Sequence, residues 1–322
     1  MKKIKMVSKS DSGAVAVSKF NKEGMFSNMD SGALCTSDMK HTRYKVFYWV
    51  LVGIMLLYLA ILIIPCLWML TAGFKSAAEM NATQNVSFFP EKIDLNKLTY
   101  TWNFLGYYKY YVNTFIMAAG CVISDLMVSG LCGYVLSRLK PVGHKIILML
   151  VFCLMLLPMT GTTVPLFMTF LEFPIGGFNM LDTYWPIWLM SAANMFNIIL
   201  FKTNFDGVSS SLIEAAKIDG ASDMRIFFKI MVPLSIPVIM TVSLFTFNGQ
   251  FGNFFWPNLV ITDPEMYTLG VQVYKIQNTV TANLTDDIKM MGIIFAVLPQ
   301  LIIFSLFQKH IIGGMNLGGV KG

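Results

Sequence analysis

The residues best suited to a chemical task lie in one polar stretch, Ser209–Pro233, which separates two long apolar runs. Ser211 and Glu214 have the S-x-x-E spacing of a capping box, which starts a helix. Gly220 is placed to end that helix, because glycine takes the left-handed C′ conformation without steric cost. Ser222 then favours the start of a second helix. The pattern predicts a helix–turn–helix that can grip another protein, although an ordinary amphipathic loop has the same periodicity.

A second set of polar residues lies inside the apolar runs. Asp125 is the one charged side chain there, and a charge at the centre of a membrane helix costs about 2.5–3.5 kcal/mol. It is expected to face protein or water, either as a group that lines a pathway or bonds between helices, or as a protonated carboxyl group buried at a contact between helices. Asn and Gln side chains lie beside aromatic residues in the later apolar runs. Their amides can bond to the hydroxyl groups of a solute, but such amides also join membrane helices to one another. The candidate pathway residues are Asp125, Asn194, Asn197, Asn248, Gln250, Asn253 and Trp256.

The sequence has no constellation typical of catalysis or of metal binding. Its three histidines are far apart, and its five cysteines form no C-x-x-C pair. The nucleotide-binding pattern G-x-x-x-x-G-K-[ST] is absent. We therefore expect no catalytic residue, no metal site and no cofactor bound by this chain.

The composition is that of a multi-pass membrane protein. Of the 322 residues, 55% are hydrophobic and only 13% are charged, whereas soluble domains average about 25% charged residues. We therefore attribute the net charge of +6 to basic residues on the cytoplasmic side of a membrane, and we expect no nucleic-acid partner.

Six apolar runs are each long enough for a helix of about 20 residues, which is what a hydrocarbon core of about 30 Å requires. The sequence predicts an all-α membrane protein with six transmembrane helices, whose fifth run is long enough to bend. The runs are Val46–Leu70, Val112–Leu136, Ile146–Leu171, Tyr184–Phe201, Val232–Ile261 and Met290–Phe307.

The basic residues predict the orientation and the domain organisation. With the N-terminus inside, 18 of the 24 Lys and Arg residues fall in inside segments, as the positive-inside rule requires. Residues 1–45 are predicted to be a disordered cytoplasmic tail, residues 46–308 a six-helix domain, and residues 309–322 a cytoplasmic C-terminal tail. The loop 203–231, which carries Glu214, is then cytoplasmic.

The polar stretch resembles the EAA–x3–G–x9–I–x–L–P signature of permease subunits of ABC importers that are supplied by a separate solute-binding protein. The string EAAKIDGAS resembles the carbohydrate branch of that family, and Val232 stands in place of the leucine. By this resemblance the candidate ATPase-coupling residues are Glu214, Ala215, Ala216, Asp219, Gly220, Ile230 and Pro233.

The resemblance extends from about Tyr44 to Gly322, and the glycine-rich C-terminus is similar to that of the second permease subunit of maltose-type importers. One departure lies in the fifth run, where many sugar permeases have W-N-[DE]-F. This chain has Phe251-Gly252-Asn253-Phe254, so direct contact with a sugar at this place is left open.

The resemblance implies a permease in the bacterial plasma membrane that forms half of a path for a sugar, and it favours an oligosaccharide. Its implied partners are a second permease subunit, a dimer of ATP-binding subunits that carry ATP and Mg, an extracellular solute-binding protein and membrane lipid. Two alternatives remain open. One is an ABC permease for a different solute, and the other is a secondary transporter or channel that works without an ATPase.

Overall fold

The computed structural model describes residues 42–82, 87–156, 159–278 and 284–315, with side chains at 45–82, 87–156, 161–278 and 284–306. All regular elements within these ranges are helical, which confirms the predicted all-α class there. Of the predicted N-terminal tail, residues 1–41 lie outside the described residues, as do residues 316–322 of the predicted C-terminal tail.

The α-helices follow one another along the chain as follows: α1 (Thr42–Ala72), α2 (Ala77–Met80), α3 (Asn96–Leu105), α4 (Tyr107–Tyr134), α5 (His144–Met155), α6 (Thr163–Leu171), α7 (Trp185–Ala192), α8 (Met195–Asp206), α9 (Ser210–Ile218), α10 (Asp223–Ile226), α11 (Val232–Leu234), α12 (Ile236–Phe251), α13 (Phe255–Val260), α14 (Leu269–Asn278) and α15 (Asp286–Met315). Two π-helical turns, Val135–Leu139 and Phe227–Met231, continue α4 and α10.

Three helical segments in the described part of the chain are long and apolar enough to cross a membrane: Lys45–Ala72, Tyr107–Leu139 and Asp286–Leu306. They coincide with the first, second and sixth apolar runs. A fourth candidate is the pair Asp223–Leu234 and Ile236–Phe251, which is bent by 80°. The third run is divided between α5 and α6, and the fourth between α7 and α8. The count of six spans therefore stays a prediction.

The chain divides into two units, Met1–Leu67 and Trp68–Gly322. The described part of the first unit is most of α1, which is apolar on all its faces and so has the pattern of a helix that lies in lipid or in an apolar interior. In the second unit, α4 is the central helix and packs against α7, α8 and α12.

Small residues allow α4 to approach its neighbours closely. A Cβ atom built on Gly133 would lie 2.6 Å from Cβ of Phe201 and 3.0 Å from the backbone nitrogen of Lys202, both on α8. On the α7 side, the indole of Trp188 lies against Gly120 and donates a hydrogen bond of 3.0 Å to the carbonyl of Met117. These contacts are of the small-residue type that joins helices in membranes.

The bend in the fifth run has a local cause at Ser235. Pro237 has no backbone N–H, so the carbonyl four residues earlier loses its helical donor. The Ser235 side chain is fully buried and donates a hydrogen bond of 2.5 Å to Oδ1 of Asn204. The bend is thus held by a contact with α8, and it turns the chain from α11 into α12.

The close approach at Gly133 leads to a stability prediction. Gly133→Ala should lower the thermal midpoint of the purified protein, because overpacking a close contact costs about 1–3 kcal/mol. The matched control is Gly249→Ala on α12, where an added Cβ meets nothing within 4 Å; it should be neutral or stabilising. Equal midpoints for the two variants would contradict the close crossing of α4 and α8.

Candidate functional site

The segment Ser209–Pro233, called the Glu214 segment below, folds as the predicted helix–turn–helix. One detail of the prediction is wrong. Helix α9 begins at Ser210 with Ser209 as its N-cap residue, so Ser211 already lies inside the helix and the S-x-x-E capping box does not form. The Ser209 hydroxyl lies 2.7 Å from the Ser211 hydroxyl and makes no side-chain cap of its own.

The predicted turn at Gly220 is confirmed. Gly220 has a φ of +76°, which is the left-handed conformation. The N–H of Ala221 donates to the carbonyl of Ala216 at 2.9 Å, and the N–H of Gly220 donates to the carbonyl of Lys217 at 3.0 Å. This pair of bonds is a Schellman motif. Ser222 then caps α10 by accepting a hydrogen bond from the backbone N–H of Arg225 at 3.4 Å.

The Glu214 segment has an inner and an outer face. Its inner face buries Ile213, Ile226 and Phe227, which join a cluster of side chains from α4, α8 and α12. Glu214, Ala215 and Asp219 are exposed on the outer face, and Ile218 is 86% exposed.

Two of the remaining candidate coupling residues, Ala216 and Ile230, support the segment from within. Ala216 is half-buried and packs against the chain's own cluster, so Ala215 is the small residue that a partner could approach. Ile230 is half-buried against the same cluster. Pro233 lies in α11, two residues before the bend at Ser235.

The start of the Glu214 segment is fastened to the end of α4. The Arg138 guanidinium donates hydrogen bonds to the carbonyls of Phe205 and Val208. The Ser137 hydroxyl donates to Oδ1 of Asp206 at 2.6 Å. Burial raises the pKa of Asp206, but hydrogen bonds from Lys202 and Ser137 outweigh it, and the pKa lies below its usual value. The residues next to Arg138 in the sequence did not indicate that it would bond to these carbonyls.

The second feature is a cavity of about 560 Å³ between α4, α7, α8, α12 and α13, called the polar cavity below. This volume lies within the range of small-molecule sites, about 300–1,000 Å³. Six of the seven candidate pathway residues line it: Asp125, Asn194, Asn197, Gln250, Asn253 and Trp256. The seventh, Asn248, is exposed and does not line the cavity.

Asp125 is fully buried and accepts three hydrogen bonds from three helices. The Ser129 hydroxyl, on the same helix, donates to Oδ1 at 2.7 Å. The Asn197 amide of α8 and the Thr246 hydroxyl of α12 donate to Oδ2 at 2.7 and 2.6 Å. The carboxylate therefore joins α4, α8 and α12 at the wall of the polar cavity.

The other polar groups form a shorter chain along the same wall. The Asn253 amide donates to the Gln250 carbonyl oxygen, and the Gln250 amide donates to the Ser191 hydroxyl, each at 3.0 Å. Asn194 caps α8 by accepting a hydrogen bond from the N–H of Asn197 at 3.2 Å. Aromatic rings of Phe196, Phe245 and Trp256 add flat apolar surface to the cavity.

Sequence reasoning missed Ser129, Ser191 and Thr246, which complete these networks. Serine and threonine are common in membrane helices, so their types carry little information. The one available signal was the spacing of Ser129, which lies four residues after Asp125 and so on the same helix face.

Several comparisons with known proteins agree with this architecture. Residues 125–316 match the family described as "Binding-protein-dependent transport system inner membrane component". The polygalacturonan/rhamnogalacturonan transport system permease protein YtcP of Bacillus subtilis is 30% identical over 87% of this chain and 100% of its own length. The arabinooligosaccharides transport system permease protein AraQ of Bacillus subtilis is 27% identical over 88% of this chain and 100% of its own.

A solved structure has the same fold. It is that of a bacterial ABC transporter involved in the import of the acidic polysaccharide alginate. The match covers 84% of this chain and 98% of the other chain, with a TM-score of 0.73 at 22% sequence identity.

The hydrogen bonds of Asp125 lead to a stability prediction. Thr246→Val keeps the side-chain shape but removes one hydrogen-bond partner of the buried carboxyl group, and the loss of a partner from a buried polar group costs about 1–3 kcal/mol. The thermal midpoint should fall by several degrees. Thr241→Val on the same helix is the matched control, because the Thr241 hydroxyl bonds to the Pro237 carbonyl of its own helix. An equal effect of both substitutions would contradict a special role for the Asp125 network.

Proposed function

The chain belongs to the family of inner membrane components of binding-protein-dependent transport systems, and from this premise we propose that it is the permease subunit of an ABC importer for an oligosaccharide. It forms half of the translocation path and catalyses no reaction itself. A separate dimer of ATP-binding subunits, which carries ATP and Mg, drives it in the bacterial plasma membrane. A second permease subunit and an extracellular solute-binding protein complete the assembly.

The outer face of the Glu214 segment is the observation that carries this proposal. Its inner face is fixed to the helical core by Ile213, Ile226 and Phe227. Its outer face, with Glu214, Ala215 and Ile218, is left exposed by this chain. A rigidly anchored helix with an exposed acid and a small residue suits docking in a cleft of the ATP-binding subunit.

The polar cavity supports a sugar as the solute. A sugar needs hydrogen-bonding partners for its hydroxyl groups and flat apolar surfaces for its ring faces. The cavity combines the amides of Asn194, Gln250 and Asn253 with the rings of Phe245 and Trp256. The names of the similar permeases, which refer to polysaccharide and oligosaccharide transport, support the same class.

We propose six spans, with both termini and the Glu214 segment in the cytoplasm. The divided third and fourth runs then each form one broken span, α5 with α6 and α7 with α8. Broken helices are tolerated in a membrane where they line a cavity or pack within protein, and the break between α7 and α8 lies at Asn194, which lines the polar cavity.

The alternatives are an ABC permease for another solute and a carrier that needs no ATPase. Uptake into proteoliposomes distinguishes the proposed function from these alternatives. The purified complex, supplied with the solute-binding protein and an oligosaccharide, should accumulate the sugar only when ATP and Mg are present on the side of the ATP-binding subunits. Uptake by the permease alone would contradict the proposal.

Two substitutions test the proposed contact between the Glu214 segment and the ATP-binding subunit. Glu214→Gln should reduce transport and stimulated ATP hydrolysis about tenfold or more, because a charge-assisted contact is worth about 1.5–3 kcal/mol. Ala215→Leu should uncouple the complex without lowering its thermal midpoint, because Ala215 is exposed in this chain.

Ala216→Leu is the matched control, and it should lower the midpoint because Ala216 packs against the chain's own cluster. If transport is impaired in Ala215→Leu but normal in Glu214→Gln, the segment contacts the ATP-binding subunit by packing and the charge of Glu214 is not needed. If coupling is normal in both variants, the segment is an ordinary loop and the proposed contact is wrong.

Cysteine labelling tests the orientation. In a chain whose native cysteines are replaced, Ile175→Cys should react with an impermeant maleimide added to intact cells, and Val142→Cys should not. Both positions are well exposed, at 76% and 104%. Ile175 lies in the predicted outside segment between the third and fourth runs, and Val142 in the inside segment between the second and third. The reverse pattern of labelling would overturn the orientation.

A further inference from the structure

Helix α3 carries two kinds of side chain on its exposed face. Residues four positions apart lie on the same side of an α-helix, and successive residues point about 100° apart. Tyr100 and Phe104 therefore form one stripe, in which each residue exposes more than half of its surface and the two rings stack with centroids 5.4 Å apart. Thr99 and Asn103 form the neighbouring stripe, which is exposed and polar. The exposed face thus changes from aromatic to polar within one step around the helix.

The opposite face of α3 is fixed to α15. Nζ of Lys97 lies 2.9 Å from Oδ2 of Asp287, which belongs to the first turn of α15, and both side chains are largely buried. Leu105, the last residue of α3, is buried in a cluster that includes Met291 and Ile294 of α15. Because the inner face is held near both of its ends, the two exposed stripes of α3 have a fixed direction.

The same contacts place α3 at the depth where two candidate spans begin. The span Asp286–Leu306 starts one residue before Asp287, which pairs with the beginning of α3. The span Tyr107–Leu139 starts two residues after Leu105, at the end of α3. Charged side chains are costly in the hydrocarbon and favour its edge. The ion pair therefore marks the polar side of a membrane boundary, and the end of α3 lies beside the apolar part of α15.

We propose that α3 is an interfacial helix whose aromatic stripe, Tyr100 and Phe104, lies among phospholipids at this boundary. The polar stripe, Thr99 and Asn103, is directed away from the lipid. The membrane face concerned is opposite to the Glu214 segment, because the other end of α4 packs in the cluster beneath that segment. The contact with lipid holds the beginnings of α4 and α15 at one depth in the bilayer, since α3 is joined to both.

The position of the rings favours phospholipid over a partner protein. Tyr108, in the first turn of α4, is exposed as well, so aromatic rings are exposed on both sides of the turn at Gly106. Aromatic side chains are enriched at the two edges of a membrane, where an apolar ring and a polar tip are both accommodated. A helix with one apolar and one polar side is buried about 5–10 Å into the boundary between headgroups and acyl chains. Both features are typical of a contact with lipid.

Fluorescence quenching tests this contact in the purified permease complex, reconstituted in nanodiscs of phosphatidylcholine and phosphatidylglycerol. Single cysteines replace Tyr100 or Phe104 in a chain whose native cysteines are replaced, and each carries a nitrobenzoxadiazole fluorophore. The matched controls are Thr99→Cys and Asn103→Cys, at the neighbouring polar positions. A lipid with a spin label near the start of its acyl chain should quench the aromatic positions at least about twofold more than the polar ones. Iodide in the water should quench the two stripes in the reverse order.

Each outcome supports or overturns the proposal. Equal quenching of the two stripes by the lipid, or stronger quenching of the aromatic stripe by iodide, would mean that α3 stands in water. If neither quencher reaches the aromatic positions, a protein covers them and lipid is the wrong partner. If a spin label near the end of the acyl chain quenches them more than one near its start, the stripe lies in the bilayer interior and not at the boundary. The two pairs of positions are independent, so one pair decides if a variant of the other does not fold. None of these results affects the uptake experiment, which tests the proposed function separately.

Discussion

The carboxylate of Asp125 is the point at which the helices around the polar cavity are held together. Burying a carboxyl group in an apolar interior is costly unless hydrogen bonds compensate it, and here Ser129, Asn197 and Thr246 provide three. The same bonds that stabilise the buried group join α4, α8 and α12, so the wall of the cavity and the packing of the core share these contacts.

The structure shows one of the roles that the sequence left open for Asp125, that of joining helices. The other role, a place in a solute pathway, stays a prediction. The oxygen atoms of Asp125 accept hydrogen bonds from α8, from α12 and from its own helix, while its position is at the wall of the cavity.

The sequence predicted features that depend on local preference. The helical class, the turn at Gly220 and the start of α10 at Ser222 follow from hydrophobic runs, glycine conformation and capping, and each is present. The start of α9 was misplaced, because three serines, Ser209, Ser210 and Ser211, precede Leu212 and each can begin a helix. The partners of Asp125 were not predictable, because Asn197 and Thr246 lie 72 and 121 residues away and reach it only through the packing of three helices.

The breaks within the apolar runs were also beyond local reasoning. Hydropathy gives the length of a run but not where a helix inside it ends. Asn194 divides the fourth run by capping α8, and that cap brings Asn197 to the position from which it bonds Asp125. The proline and serine residues at the bend of the fifth run act together with Asn204, a partner on another helix.

Helix α8 connects the two functional features of the chain. Its first turn carries Asn197 at the polar cavity, and its last turn carries Phe205 in the cluster beneath the Glu214 segment. It has twelve residues, which at about 1.5 Å per residue give a length of about 18 Å. Arg138 and Ser137 fasten the far end to the turn that continues α4, and Asp125 fastens the near end to α4 and α12. Helix α8 is thus a continuous physical link, of backbone and packed side chains, between the Glu214 segment and the amide wall of the cavity.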